Sequence, residues 1–297
     1  MLPDFLGIGV QKAGTTWLHS MLSAHNEIWL PHVKELHYFD RKYESPMSGD
    51  ITSGISSHRT WLSHVQRRFR RVSLTKLRER VVSLGRQDWA WEMQYMLGRR
   101  DDRWYSELFE AGAGRIVGEI TPAYSCLSAT TIAHIHQLMP EARLILLLRD
   151  PVQRAWSHAK MDISRVTRDS RTRVDDSRYV EHFNSAVSTM RGDYLGCINR
   201  WLSYFPAPQL FIGFFDEIHE NPKHLLAAVC DFLGVNPPEQ HFDAHVRKKV
   251  NVGLQVKIPT HLERLLALQY LDSVRTLADR FGRYPQHWLA HYEDILS

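Results

Sequence analysis

The sequence predicts an α/β fold built on a central, mainly parallel sheet flanked by helices. Three observations carry this. Short apolar runs alternate with longer stretches of helical periodicity. One run, Leu144 to Leu148, is five consecutive aliphatic residues, the pattern of a strand buried on both faces. The first run, Phe5 to Val10, leads directly into a glycine-containing turn and an amphipathic segment.

The elements follow in order. Phe5 to Val10 reads as a strand. A turn containing Gly14 precedes a helix through Trp17, Leu18, Met21 and Leu22. Arg115 to Ile120 reads as a second strand, ending at Thr121-Pro122. Ser128 is placed to cap a helix running to about Met139, which Pro140 stops. Leu144 to Leu148 is the buried strand, and a helix from Pro151 fits because proline suits a first helical turn. Leu210 to Phe215 is a further strand. Pro222 to Leu233 is a helix ended by Gly234, and Leu262 to Phe281 has helical spacing suited to an outer position. Tyr194 to Phe205 has the spacing of a helix that packs into the core.

Two stretches interrupt this order within a single domain spanning 1–297. The segment 43–103 is irregular and basic, with about twelve Lys/Arg against five Asp/Glu between Arg59 and Arg103. Asp162 to Arg178 is polar and charged. Both read either as insertions on the substrate side of the sheet or as solvated surface.

Composition narrows the class. The 297 residues are 43% hydrophobic and 24% charged, values of a globular protein rather than a disordered or fibrous one. No apolar run approaches the ~18 residues of a spanning helix, and no signal-peptide pattern opens the chain. A cytoplasmic protein without a membrane span is expected. Cys126, Cys197 and Cys230 are odd in number and widely spaced, so reduced thiols are expected rather than disulfides or a cysteine zinc site. The net charge of +4 suits anionic ligands without requiring nucleic acid.

The sharpest local signal is Gly9-Val10-Gln11-Lys12-Ala13-Gly14-Thr15-Thr16-Trp17. A loop between a strand and a helix offers backbone N–H groups and the positive end of a helix dipole to an anion. Gly14 lets the backbone approach closely, Lys12 supplies a cation, and Thr15 and Thr16 supply hydroxyls. The pattern departs from G-x-x-x-x-G-K-[ST]: Thr15 stands at the lysine position and the lysine comes earlier, at Lys12. Gln11 to Thr16 resembles the 5′-phosphosulfate loop of sulfotransferases that use 3′-phosphoadenosine 5′-phosphosulfate (PAPS). That resemblance implies a P-loop-like, three-layer fold and donor binding by Lys12, Ala13, Gly14, Thr15, Thr16 and Trp17.

A second anion site is readable at Leu144 to Pro151. Arg149 ends the buried strand and Ser157 follows eight residues later, in the next helix. A guanidinium fork and a hydroxyl so spaced can meet one phosphate. Asp150 could instead be a magnesium-binding carboxylate, but Arg149 beside it and the missing lysine argue against that. Arg149 to Ser157 resembles the family's 3′-phosphate motif, which implies that Arg149 and Ser157 hold that phosphate. A basic stretch around Lys249 resembles the family's nucleotide-closing loop.

Between the motifs lies Lys34-Glu35-Leu36-His37-Tyr38-Phe39-Asp40. Glu35 and His37 alternate along a possible extended segment, so either could be a base on one face. The segment resembles that of heparan sulfate 3-O-sulfotransferases and N-sulfotransferase domains. It implies Glu35 as general base, with His37 and Asp40 orienting it or the acceptor, and His37 as the alternative base. Gly118 to Tyr124 also resembles the family, with Tyr124 shaping the acceptor site. Ile120 departs from the pattern, standing where the 3-O enzymes carry a lysine. The joint resemblance implies sulfuryl transfer without a metal to an acceptor hydroxyl or amine, on a glycan or hydroxylated small molecule. A P-loop kinase or nucleotide hydrolase, and a non-catalytic anionic-glycan-binding module, are the rival readings.

Overall fold

The computed structural model describes residues 1–42, 86–167, 175–237 and 256–297. Its elements are β1 (Phe5–Gly9), α1 (Thr15–Ser23), β2 (Ile28–Trp29), α2 (Phe39–Lys42), α3 (Arg86–Leu97), α4 (Asp102–Glu107) and β3 (Ile116–Ile120). They continue with α5 (Ala129–Leu138), β4 (Arg143–Leu148), α6 (Pro151–Thr167), α7 (Asp176–Asn184), α8 (Ala186–Gly192) and α9 (Tyr194–Leu202). The chain closes with β5 (Leu210–Phe214), α10 (Phe215–Glu220), α11 (Pro222–Leu233), α12 (Thr260–Phe281) and α13 (Arg283–Leu296).

The described strands form one sheet in the order β2-β3-β1-β4-β5, and every pairing is parallel. This confirms the α/β reading. β1 and β4 are buried along nearly their whole length, which is why they read as unbroken apolar runs. β1 lies between β3 on one side and β4 on the other, so the order reverses at β1. In an open parallel sheet, the crevice beyond the carboxyl end of such a strand is where ligands bind. The chain leaves β1 there through the Lys12 loop.

Local signals explain the helix ends. The Ser128 side chain accepts from the Thr131 N–H and caps α5, as its sequence predicts. Gly234 closes α11 with φ 72°. The side of α9 that carries Tyr194, Ile198 and Trp201 is core packing.

The structure also departs from the sequence reading. The two-residue strand β2 is too short to give a period. The helix opened by Pro151 continues to Thr167, so the interruption read from Asp162 begins inside it. The last part of the basic stretch, 86–103, carries α3 and the start of α4, and its Trp91 and Tyr95 are buried. The Trp91 and Tyr95 rings stack at 5.3 Å, and the Trp91 indole donates to the Leu108 carbonyl at 2.8 Å. Aromatic burial of this size outweighs the composition of the segment, and Arg99 and Arg103 stay exposed. The remainder, 43–85, lies outside the described residues.

Candidate active site

The phosphate loop is tied at both ends. The Val10 N–H donates to the Leu147 carbonyl of β4 at 2.8 Å, and the Ala13 N–H to the Val10 carbonyl at 3.2 Å. Lys12 and Gly14 take positive φ, 74° and 89°. A Cβ on Gly14 would be strained by its φ and would also push aside the end of the Ile218 side chain, 2.3 Å away. Ala13, Thr15 and Trp17 are buried beneath the loop, while Lys12 and Thr16 are partly exposed. The first turn of α1 carries no acidic residue, so its dipole is not neutralised from within.

Arg149 brings the second motif onto this loop. Its NH1 donates to the Lys12 carbonyl at 3.1 Å, and its guanidinium lies 4.3 Å from the centroid of the Phe215 ring. Burial lowers the Arg149 pKa from its usual value. Among the described residues no carboxylate forms an ion pair with it. The adjacent Asp150 is otherwise engaged: its Oδ1 accepts from the Tyr292 hydroxyl at 2.5 Å and from the Val152 N–H at 2.9 Å. Asp150 therefore holds the start of α6 against α13. The Tyr194 hydroxyl donates to the Arg149 carbonyl at 2.8 Å. Ser157 sits on α6, half-buried. Four residues further along the same helix, Met161 Sδ lies 3.9 Å from Lys12 Nζ. Lys12 and Arg149 thus meet at the carboxyl ends of β1 and β4, and Ser157 lies on the helix that follows β4. Lys249 lies outside the described residues.

The Lys34–Asp40 segment follows β2 at the same edge of the sheet. It is not an extended strand. Glu35 and His37 have φ of 63° and 54°, the left-handed region that costs non-glycine residues of order 1–3 kcal/mol and clusters at functional sites. The two turns nevertheless bring the pair together. His37 Nε2 is 3.5 Å from Glu35 Oε2, and His37 Nδ1 donates to Asp40 Oδ2 at 2.7 Å. Lys34 Nζ donates to Glu35 Oε1 at 2.6 Å. The His37 hydrogen bond, against burial and with help from Lys34, lowers the Glu35 pKa to about 2. Burial opposes a charge on His37, but Asp40 and Glu35 overcome it and raise His37 to about 9. At neutral pH the segment holds a carboxylate between an imidazolium and an ammonium. On α1, burial and then the Lys34 charge lower the His19 pKa to about 4 against the pull of Glu35.

Tyr124 is fully buried and offers no surface to an acceptor. That corrects its expected place in the site. Its hydroxyl accepts from the Tyr38 N–H at 3.2 Å and donates to Glu119 Oε1 at 2.9 Å. Glu119 also accepts from Tyr105 at 2.6 Å and Thr121 at 2.7 Å, with burial raising its pKa. This buried carboxyl fixes Tyr124, and Tyr124 fixes the backbone between His37 and Asp40. Ile120 is buried in the sheet and brings no charge to the site.

Sequence reasoning missed Lys34 and Glu119. Lys34 was adjacent to the chosen base, and Glu119 stood in a segment singled out for its turn. It also missed a cluster on another face of α6. His158 and His182 each place Nε2 about 3 Å from Asp162 Oδ2, at 3.0 and 3.1 Å. Arg191 NH1 contacts His158 Nε2, and burial followed by the Arg191 charge lowers His158 to about 3. Arg191 thus brings its positive charge against an imidazole, His158, that is neutral at neutral pH.

The site thus combines a cation-bearing loop at the switch point of a parallel sheet, an arginine from the end of the next strand and a carboxylate paired with cations. Residues 3–239 match the sulfotransferase family, and the chain belongs to that family. It is 28% identical over 144 residues to human heparan sulfate glucosamine 3-O-sulfotransferase 6, covering 47% of this chain and 42% of the relative. It is 26% identical over 277 residues to the bifunctional heparan sulfate N-deacetylase/N-sulfotransferase of Drosophila melanogaster, covering 85% of this chain and 21% of the relative. The chain thus spans less than half the length of either relative. A sulfotransferase structure from Alicyclobacillus acidocaldarius superposes with a TM-score of 0.62 at 22% identity, covering 97% of this chain and 99% of that one. The sulfotransferase domain from the curacin biosynthetic pathway superposes with a TM-score of 0.52 at 17% identity, covering 90% of this chain and 97% of that one. These likenesses support the fold. Among the described residues no helix is long and apolar enough to cross a membrane.

Proposed function

We propose that this chain transfers a sulfuryl group from PAPS to a hydroxyl or amine of an acceptor, with Glu35 as general base. The observation that carries the reading is Arg149: a desolvated guanidinium held on the Lys12 loop, with its neighbouring carboxylate engaged elsewhere. Such a group fits an external phosphate. Lys12, the Gly14–Thr16 turn and the start of α1 would hold the 5′ side of the donor. Arg149 and Ser157 would hold its 3′-phosphate. Bound there, the donor supplies the sulfuryl group, whose bond to the 5′-phosphate breaks as a bond to the acceptor oxygen or nitrogen forms.

Glu35 removes the acceptor proton. It is ionised at neutral pH and is therefore in the form a base requires. His37 is protonated with both ring nitrogens facing carboxylates, so its part is to orient Glu35. Lys12 stabilises negative charge developing on the leaving phosphate. The acceptor is proposed to be a carbohydrate, supported by the heparan sulfate enzymes among the relatives. The kinase alternative needs a carboxylate for magnesium beside the loop, and Asp150 is committed to Tyr292 and α6.

The test is calorimetric titration with adenosine 3′,5′-bisphosphate, compared with ADP with and without magnesium. Magnesium-independent binding of the bisphosphate is expected. Preference for magnesium-ADP would replace this reading with a kinase.

A further inference from the structure

We propose that Lys160 is a third cation of the donor site and distinguishes a nucleotide with two separate phosphates from one with a single phosphate. This rests on the donor reading above. Ser157, Lys160 and Met161 stand at positions i, i+3 and i+4 of α6 and so share one side of that helix. Lys12 Nζ, 3.9 Å from Met161 Sδ, marks this as the side facing the phosphate loop. Two contacts of Lys160 are made by its ammonium. Its ammonium lies 5.5 Å from the centroid of the Trp156 ring and donates to the Val256 carbonyl at 3.3 Å. The Trp156 indole donates to the same carbonyl at 2.9 Å, so the anchor is a fixed one.

Burial, then the charges of Arg149 and Lys12, lower the Lys160 pKa. Lys160 thus brings a further positive charge to the helix that carries Ser157 and, through Met161, meets Lys12. Like charges brought together repel, and an anion among them relieves that repulsion. One phosphate can be met by Lys12 and the start of α1. Lys160 adds its charge beside Ser157 and Arg149, where the second phosphate is proposed to sit. The ligand that gains from all three is a nucleoside with phosphates on separate positions, such as adenosine 3′,5′-bisphosphate.

The experiment is calorimetric titration of wild type, Lys160→Met, Lys160→Gln and Lys160→Arg with adenosine 3′,5′-bisphosphate and with adenosine 5′-phosphate. Loss of one charge-assisted contact is expected to weaken bisphosphate binding about tenfold or more in Lys160→Met and Lys160→Gln. Monophosphate binding should change little, and Lys160→Arg should retain most of the affinity. Lys160→Gln keeps a donor for the Val256 carbonyl; if it binds like wild type, the lysine acts only by holding that carbonyl and the proposal fails. Equal weakening toward both nucleotides would also overturn it, by placing the charge at the 5′ side. Wild-type protein that binds no bisphosphate would instead defeat the donor reading itself. Circular dichroism melts of each variant separate lost affinity from lost fold.

Discussion

The Arg149 guanidinium donates to the backbone carbonyl of Lys12 at 3.1 Å, joining segments 137 residues apart in the chain. The bond sets the arginine against the turn that carries the loop cation, and its guanidinium lies over the Phe215 ring, 4.3 Å from the centroid. One side chain thereby fixes the loop and presents charge to the same rim.

Arg149→Ala is expected to weaken adenosine 3′,5′-bisphosphate binding on the order of 100-fold, the scale of a charge-assisted bidentate contact. Arg149→Lys should rescue little, because an ammonium cannot both stack flat on Phe215 and fork toward a phosphate. Calorimetry on both variants checks this; full rescue by lysine would show that only charge matters there.

Gly14→Ala should cost stability as well as binding. The alanine would need φ near 89°, and its Cβ would meet Ile218 at 2.3 Å. A loss of about 1–3 kcal/mol is expected from strain and overpacking. Urea denaturation measures it, and an unchanged midpoint would refute the argument.

Those two residues were legible for different reasons. Gly14 belongs to a contiguous pattern, and Arg149 ends an unmistakable aliphatic strand. Lys34 was overlooked because its meaning lies in a 2.6 Å contact made by a backbone turn, and a run of alternating residues suggested an extended chain instead. Trp91 and Tyr95 stand in a stretch whose charge density suggests an insertion, while packing is decided by individual rings. Four of the five strands among the described residues are readable as apolar runs; β2 is not, having only Ile28 and Trp29. Tyr124 was assigned to the acceptor by its position in a motif, yet its contacts make it a brace beneath the site.

Glu119→Gln tests that brace. Glu119 takes hydrogen bonds from Tyr105, Thr121 and Tyr124 and has no exposed surface to speak of. A glutamine places an NH2 against hydroxyls oriented to donate. The expected loss is about 1–3 kcal/mol, the cost of a buried donor left unsatisfied. Turnover should fall further than stability alone explains, because Tyr124 also holds the Tyr38 N–H between His37 and Asp40. Denaturation and steady-state rates on the same samples separate the two effects; equal stability to wild type would sink the idea.

Glu35→Gln should lower turnover by about 10²–10⁴-fold, the usual share of a general base, while donor binding persists. Retained turnover would remove Glu35 from the chemistry. Bisphosphate calorimetry on the same variant shows whether donor binding persists.

The pH dependence decides between Glu35 and His37. His37 rises from 6.5 to about 9 in the folded protein, so its contribution to stability is complete below pH 6.5 and is lost as pH climbs through 9. Glu35 falls from 4.5 to about 2, so its contribution is present above pH 4.5 and is lost as pH drops through 2. Together they stabilise the segment most between about pH 4.5 and 6.5. With Glu35 as the base and His37 as its protonated support, turnover should be level across neutral pH and decline as His37 loses its proton near 9. Were His37 the base, turnover would rise through that same range as the neutral ring became available. Asp40→Asn removes the 2.7 Å partner of His37 Nδ1 and should move the imidazole titration toward 6.5, carrying the alkaline decline with it. Proton NMR titration of the His37 ring, set beside a pH–rate profile of the wild type and Asp40→Asn, measures both movements. A profile that does not follow the His37 titration would break the link between this imidazolium and catalysis.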